Sequence, residues 1–271
     1  MSGRRHPFVH PPRSENEMIR FLFLIILLVT GAVVGLAFVP LAAALKLSGA
    51  ADNGVSWTAA RGSVYSGVLD GLSVNGTNYG NAHLQLDASA LMGAALQYEV
   101  DWTGTHGQGS AKVSVESGRT VTLKDYVISL DLEDYERAAR WIRQVGGKIT
   151  LAGPAIRFKG SECVLAEGVA TSDVLDRNRE VLGSGWSELR GDIVCDDGKL
   201  LVPLESENAA GTRFSSYLRV APGTPGRFEA RISGRVSRAL AFALPLAGFN
   251  RDGDAFVYVP KAAKPAPASP E

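Results

Sequence analysis

An apolar run from Phe21 to Leu45 constrains this chain more than any other feature: it holds no charged residue, and the long remainder of the 271-residue sequence never repeats it. In a helix rising about 1.5 Å per residue, a run of that length reaches roughly 37 Å. This crosses a hydrocarbon core of about 30 Å with some tilt. The pattern predicts a single transmembrane anchor over residues 19–47, with everything after it on one side of a membrane. Arg4, Arg5, Arg13 and Arg20 precede the run, against Glu15 and Glu17, and the first cations beyond it are Lys46 and Arg61. An arginine excess before a span leaves the N-terminus in the cytoplasm and exports the body. A cleaved signal peptide competes with this reading, because Ser48-Gly49-Ala50 offers small residues for cleavage. Signal peptides, however, carry apolar regions of only about 7–15 residues.

Residues 1–18, with His6-Pro7 and Pro11-Pro12-Arg13, read as a disordered cytoplasmic stub, and the proline-rich residues 261–271 as a disordered tail. The exported body lies between them. Charges balance over the whole chain, with 28 basic and 28 acidic residues, and the body contains no basic run, so a nucleic-acid partner is not expected.

Period-two alternation dominates the body and predicts half-buried strands. His83-Leu84-Gln85-Leu86-Asp87, Lys112 to Glu116, Thr120 to Lys124, Lys148 to Leu151, Ile156 to Lys159, Phe228 to Ile232 and Ala255 to Val259 all show it. Turn signals separate them, among them Asn75-Gly76, Glu116-Ser117-Gly118 and Asp197-Gly198. The last, set between Ile193-Val194-Cys195 and Leu200-Leu201-Val202, predicts a hairpin. Helix is the exception. Asp131 can cap a helix over 132–145, with Leu132, Tyr135, Ala139 and Ile142 on one face and Gly146-Gly147 at its end. Two weaker helical segments run from Ser172 to Leu182 and from Ser237 to Phe249, the latter interrupted by Pro245 and too short for a second span. The expected fold is therefore mainly β: an N-terminal transmembrane helix, then a mostly antiparallel sheet body with two or three short helices. The helix over 132–145 invites a division into two β-rich halves, 48–147 and 148–260. A single continuous curved sheet is the competing arrangement.

Cys163 and Cys195 are the chain's two cysteines, and both lie in the exported body. In an oxidising compartment they are expected to form a structural disulfide; a reduced, buried pair is the alternative. No catalytic, metal or cofactor site is predicted. The exported histidines, His83 and His106, are far apart in sequence, and neither has ligand spacing around it. No nucleophile elbow, P-loop or dinucleotide fingerprint occurs. Asp131, Glu133 and Asp134 sit at a helix start, and Asp196-Asp197 and Asp252/Asp254 in turns, so each acidic group has a structural reason to be there. A membrane-tethered hydrolase would require His83 or His106 to meet a carboxylate and a serine in space.

Three stretches carry a family resemblance. Val39-Pro40-Leu41 leads to Gly62-Ser63-Val64-Tyr65-Ser66-Gly67; Leu189-Arg190-Gly191-Asp192 precedes Asp197-Gly198-Lys199-Leu200; and Leu244-Pro245-Leu246-Ala247-Gly248-Phe249 runs into Asp252-Gly253-Asp254. With this order and length the chain resembles, over roughly residues 19–260, the type II secretion system protein N family. The resemblance implies a bacterial inner-membrane anchor, a periplasmic β-rich body and contact with other secretion components in the export of folded proteins. It implies no catalytic residues. Val64, Tyr65 and Val68 form the candidate contact patch; plain core packing is the competing explanation for them. A second functional reading is a periplasmic lipid-binding or lipid-transfer protein, similar to AsmA-like and lipopolysaccharide-export proteins. Small inward residues such as Ala82, Ala88, Ala94 and Ala111 would then line a groove for acyl chains.

Overall fold

The structure, a computed structural model, describes residues 38–260 except 75, 91–95, 117–118, 134–142, 144, 223 and 225, together with isolated positions 24, 25, 27, 31 and 35. Among the described residues no helix is long and apolar enough to cross a membrane. Most of the expected anchor, the N-terminal stub, the C-terminal tail and most of the helix expected over 132–145 lie outside the described residues.

Among the described residues sixteen strands form one sheet. The first half of the chain contributes β1 (Val55–Ser56), β2 (Ala59–Gly62), β3 (Ser66–Val74), β4 (Thr77–Leu86), β5 (Leu96–Gly104), β6 (Gly107–Glu116) and β7 (Thr120–Asp131). Next come β8 (Lys148–Lys159), β9 (Glu162–Ser172), β10 (Leu189–Asp192), β11 (Val194–Asp196) and β12 (Lys199–Glu207). The chain closes with β13 (Thr212–Val220), β14 (Arg227–Gly234), β15 (Asn250–Asp252) and β16 (Ala255–Tyr258). From β3 to β9 each strand pairs antiparallel with its successor, and the path continues through β10, β12, β13 and β14 to β16 and β15. Pairing runs without a gap past residue 147, where β7 and β8 match from Thr120↔Lys159 to Asp131↔Lys148.

The alternating segments fall within strands as expected, except that Asp87 and Val259 lie just past the ends of β4 and β16. Lys148 to Leu151 and Ile156 to Lys159, read as separate strands, are the two ends of β8, and Pro154 does not break it. The register shifts there, between Ala152 and Ala155, so the proline sits at a bulge where a missing N–H costs no ladder bond. At Asp197-Gly198 both residues take positive φ, 49° and 69°, the backbone a two-residue hairpin turn requires. This turn joins β11 to β12. The segment from Ser172 to Leu182 forms two single-turn helices, Val174–Arg177 and Arg179–Leu182. Arg238–Leu246 is helical with Pro245 in its last turn.

Cross-strand register puts Leu84, Val100, Ala111 and Leu86, Tyr98, Val113 in rows on one face. Across β7 to β12 the same apolar face closes into a core of Tyr126, Ile156, Cys163, Ala170, Leu189, Ile193 and Val202. Tyr126 is fully buried, and its hydroxyl donates to the carbonyl of Glu167 at 3.1 Å. A β-carbon on Gly168 would collide with that hydroxyl, so glycine is required where the ring crosses the neighbouring strands. The helix Arg238–Leu246 covers the far end of the sheet, with Leu240 and Leu244 against Ile232, Phe256 and Tyr258.

Cys163 of β9 and Cys195 of β11 form a disulfide, closing a sequence separation of 32 residues. Beside it, the N–H of Cys163 donates to the carbonyl of Gly198 at 2.7 Å. Bond and bridge together fasten the β11–β12 hairpin to β9.

Candidate contact site at the Gly62–Gly67 turn

The glycine-led stretch of the sequence is a tight turn from β2 into β3. Gly62 has φ of 85°, a backbone that disfavours any side chain. It pairs with Gly67. The Ser63 N–H donates to the carbonyl of Ser66 at 2.9 Å, closing a turn around Val64 and Tyr65.

This turn grips the end of the apolar run. Pro40 bridges to Ser63, and the Val64 N–H donates to the carbonyl of Val39 at 3.0 Å. Pro40 then caps a helix, Leu41–Leu47, as its fixed φ allows. Leu41 is buried with Leu69 and Ala82, and Leu45, Trp57, Ala60 and Trp102 pack around them. The last residues of the apolar run are thus packed into the sheet. Composition alone could not separate Leu41 from the residues before it; the signal was Pro40, which stands at the start of the helix Leu41–Leu47. Gly67 makes the packing possible: a β-carbon there would stand 2.6 Å from Leu41 Cδ2 and 3.0 Å from the carbonyls of Arg61 and Ser63.

Of the three patch residues, Tyr65 is 39 % exposed while Val64 and Val68 are half-buried. Val64 and Tyr65 share the turn, and the carbonyl of Tyr65 accepts from the Leu86 N–H at 2.8 Å. Val68 lies in β3, cross-strand from Arg61 and His83. The Arg61 guanidinium pairs with Asp70 at 2.7 Å on this edge.

Tyr65 also borders a cleft of about 410 Å³ lined by polar side chains that include Asp87, Glu99 and Lys112. The Asp87 carboxylate accepts from the Ser89 hydroxyl at 2.6 Å, the Ser89 N–H at 2.9 Å and the Gln97 amide at 3.1 Å. The hydroxyl bond, followed by the backbone bond, holds its pKa below the ordinary carboxylate range. Asp125, 3.0 Å from the Lys112 ammonium, raises the lysine's pKa. The cleft is therefore charged at neutral pH.

His83 does not form a nucleophilic relay with the residues across from it. His83 faces Asp101 across β4 and β5, and Asp101 faces Ser110 across β5 and β6. In that row the carboxylate stands between histidine and serine, which are two strand spacings, roughly 10 Å, apart. An activating base must touch the nucleophile it deprotonates. His106 lies in the turn between β5 and β6, its carbonyl accepting from the Asp131 N–H. Among the described residues no group of three or more His, Cys, Asp or Glu side chains could hold a metal ion.

Comparison with known proteins supplies a family. No curated protein and no solved structure gives a significant match. The family described as Type II secretion system (T2SS), protein N matches residues 53–259, a stretch that begins just before β1 and ends just after β16. That match spans well over half the chain and nearly the whole sheet, and the chain belongs to the type II secretion system protein N family.

Proposed function

We propose that this protein is an accessory component of the type II secretion system, anchored in the bacterial inner membrane by its N-terminal apolar run, with its sheet in the periplasm. It acts by protein–protein contact during export of folded proteins across the outer membrane. The carrying observation is the turn at Gly62–Gly67, which binds the chain leaving the apolar run and presents Tyr65 at the surface beside it. Family membership supplies the machine; the turn supplies a rigid, outward-facing contact point next to the anchor. An aromatic side chain with a polar tip on a fixed backbone suits such a contact, because little conformational freedom is lost on binding.

The edge of the sheet offers a second element of the same interface. β2 pairs with β3 on one side, and a partner's extended strand could add to the other through main-chain hydrogen bonds. The lipid-carrier reading draws no support from the cleft, whose lining is largely polar and charged.

Site-specific photo-crosslinking in living cells, from position 65 and from Arg61 on the edge strand, tests the proposal. Capture of other secretion-system subunits at these positions supports it. Lipid adducts alone at both positions would count decisively against it.

A further inference from the structure

The helix Arg238–Leu246 is apolar on two opposite sides. Leu240 and Leu244 are buried in the core, and the Ser237 hydroxyl accepts from the Leu240 N–H at 3.2 Å to cap the first turn. On the other side Arg238, Phe242 and Leu246 follow one another at four-residue spacing. There Phe242 is 75 % exposed and Leu246 79 %. A helix apolar all round belongs in an interior. Large apolar side chains left adjacent in water mark a surface that something covers.

Size and charge indicate what covers it. Nine residues of helix are about 14 Å long and about 10 Å wide, a footprint far below the roughly 800 Å² per partner of a stable protein interface. A bilayer sets no such minimum, because it meets each side chain separately. Arg238 heads the exposed stripe, and Arg235 stands exposed just before the cap. Neither takes part in an ion pair among the described residues. The helix's exposed residues are Arg238, Ala239, Phe242, Pro245 and Leu246, with no carboxylate among them. Guanidinium groups beside an apolar stripe complement anionic headgroups above an acyl boundary: arginine binds phosphate bidentately while the ring and the leucine enter below it.

We propose that this helix is an interfacial docking element that seats the β15–β16 end of the sheet on an anionic lipid bilayer. It lies at the opposite end of the strand order from β1 and β3, so it is a membrane contact distinct from the N-terminal run. The contact needs no secretion partner, so it stands or falls separately from the function proposed above.

The test uses the full chain reconstituted in phosphatidylcholine vesicles, with or without about 30 mol % phosphatidylglycerol. A photo-reactive residue replaces Phe242, and lipid adducts are counted by mass spectrometry. Adducts are expected in the anionic vesicles, falling on the order of tenfold in the pair Arg235→Gln and Arg238→Gln, and retained when both become lysine. Both arginines are exposed, so these variants keep the fold; a probe at Phe256 in the core reports any that do not. Equal adduct yields with and without the anionic lipid, yields indifferent to the arginines, or capture of a second copy of the chain instead of lipid would each overturn the proposal.

Discussion

Leu41 fills the space that a side chain on Gly67 would need: its Cδ2 lies 2.6 Å from the position of a β-carbon there. Two residues far apart in sequence therefore share one volume. Substituting Gly67→Ala forces Leu41 out or pushes the β2–β3 turn open, at an expected cost of about 1–3 kcal/mol. Leu41→Ala leaves a cavity costing about 2–5 kcal/mol. In the double variant Leu41→Ala with Gly67→Ala the costs should fall short of additive, because the truncated leucine leaves room for the new methyl. Denaturant midpoints of the three proteins measure this; strict additivity would show that the two residues do not compete.

Tyr126 provides a second test. Removing its hydroxyl in Tyr126→Phe deletes the bond to Glu167 and leaves that carbonyl short of a donor, at about 1–2 kcal/mol. Gly168→Ala should cost more, since the ring cannot leave its fully buried site without a rearrangement of the core. Thermal unfolding of both variants ranks them. If Gly168→Ala is the milder change, the strands yield more easily than the packing implies.

The disulfide should matter to the β11–β12 hairpin first. Closing a loop of 32 residues contributes about 3–4 kcal/mol on the chain-entropy account. Replacing both Cys163 and Cys195 by serine should lower stability by about that amount and raise amide exchange in β11 before the rest of the sheet. Exchange rising evenly over all strands would contradict this local role.

Strand content was legible because alternation survives in strands with one buried face, and His83 to Asp87 and Phe228 to Ile232 show it plainly. The hairpin at Asp197-Gly198 and the Cys163–Cys195 pair followed from local chemistry and from the small number of cysteines. That Lys148 to Leu151 and Ile156 to Lys159 belong to one strand was not legible, because the bulge that carries Pro154 between them is set by pairing with β9. Leu41 was read with the apolar run because hydropathy carries no information about which neighbour a leucine will touch. The exposure of Phe242 and Leu246 was hidden for the same reason: an apolar helix segment looks the same whether both sides are covered or only one. In the contact patch, Tyr65 was placed at the surface only once the turn's hydrogen bonds fixed the backbone.

Acid should loosen the turn after β4. The Asp87 carboxyl titrates below its ordinary range, chiefly through the Ser89 hydroxyl and then the Ser89 N–H. A depressed folded-state pKa contributes stability above the unfolded value of about 3.9, and that contribution is lost as pH falls through the lower folded value. The Ser89 amide resonance should hold steady from about pH 7 to pH 5 and shift below about pH 4. An Asp87→Asn variant should show no such step. A step that persists in that variant would assign the titration to another group.

Because the strand order runs unbroken from β1 through β3 and β10 to β12, β16 and β15, the described sheet has no unpaired seam within it. Mechanical load or denaturant should peel it from its short outer strands, β1 and β15, one ladder at a time. Protection against hydrogen exchange would then rise gradually from either rim toward β7–β9, as in a woven strip fraying at both ends, with no two plateaus separated by a step.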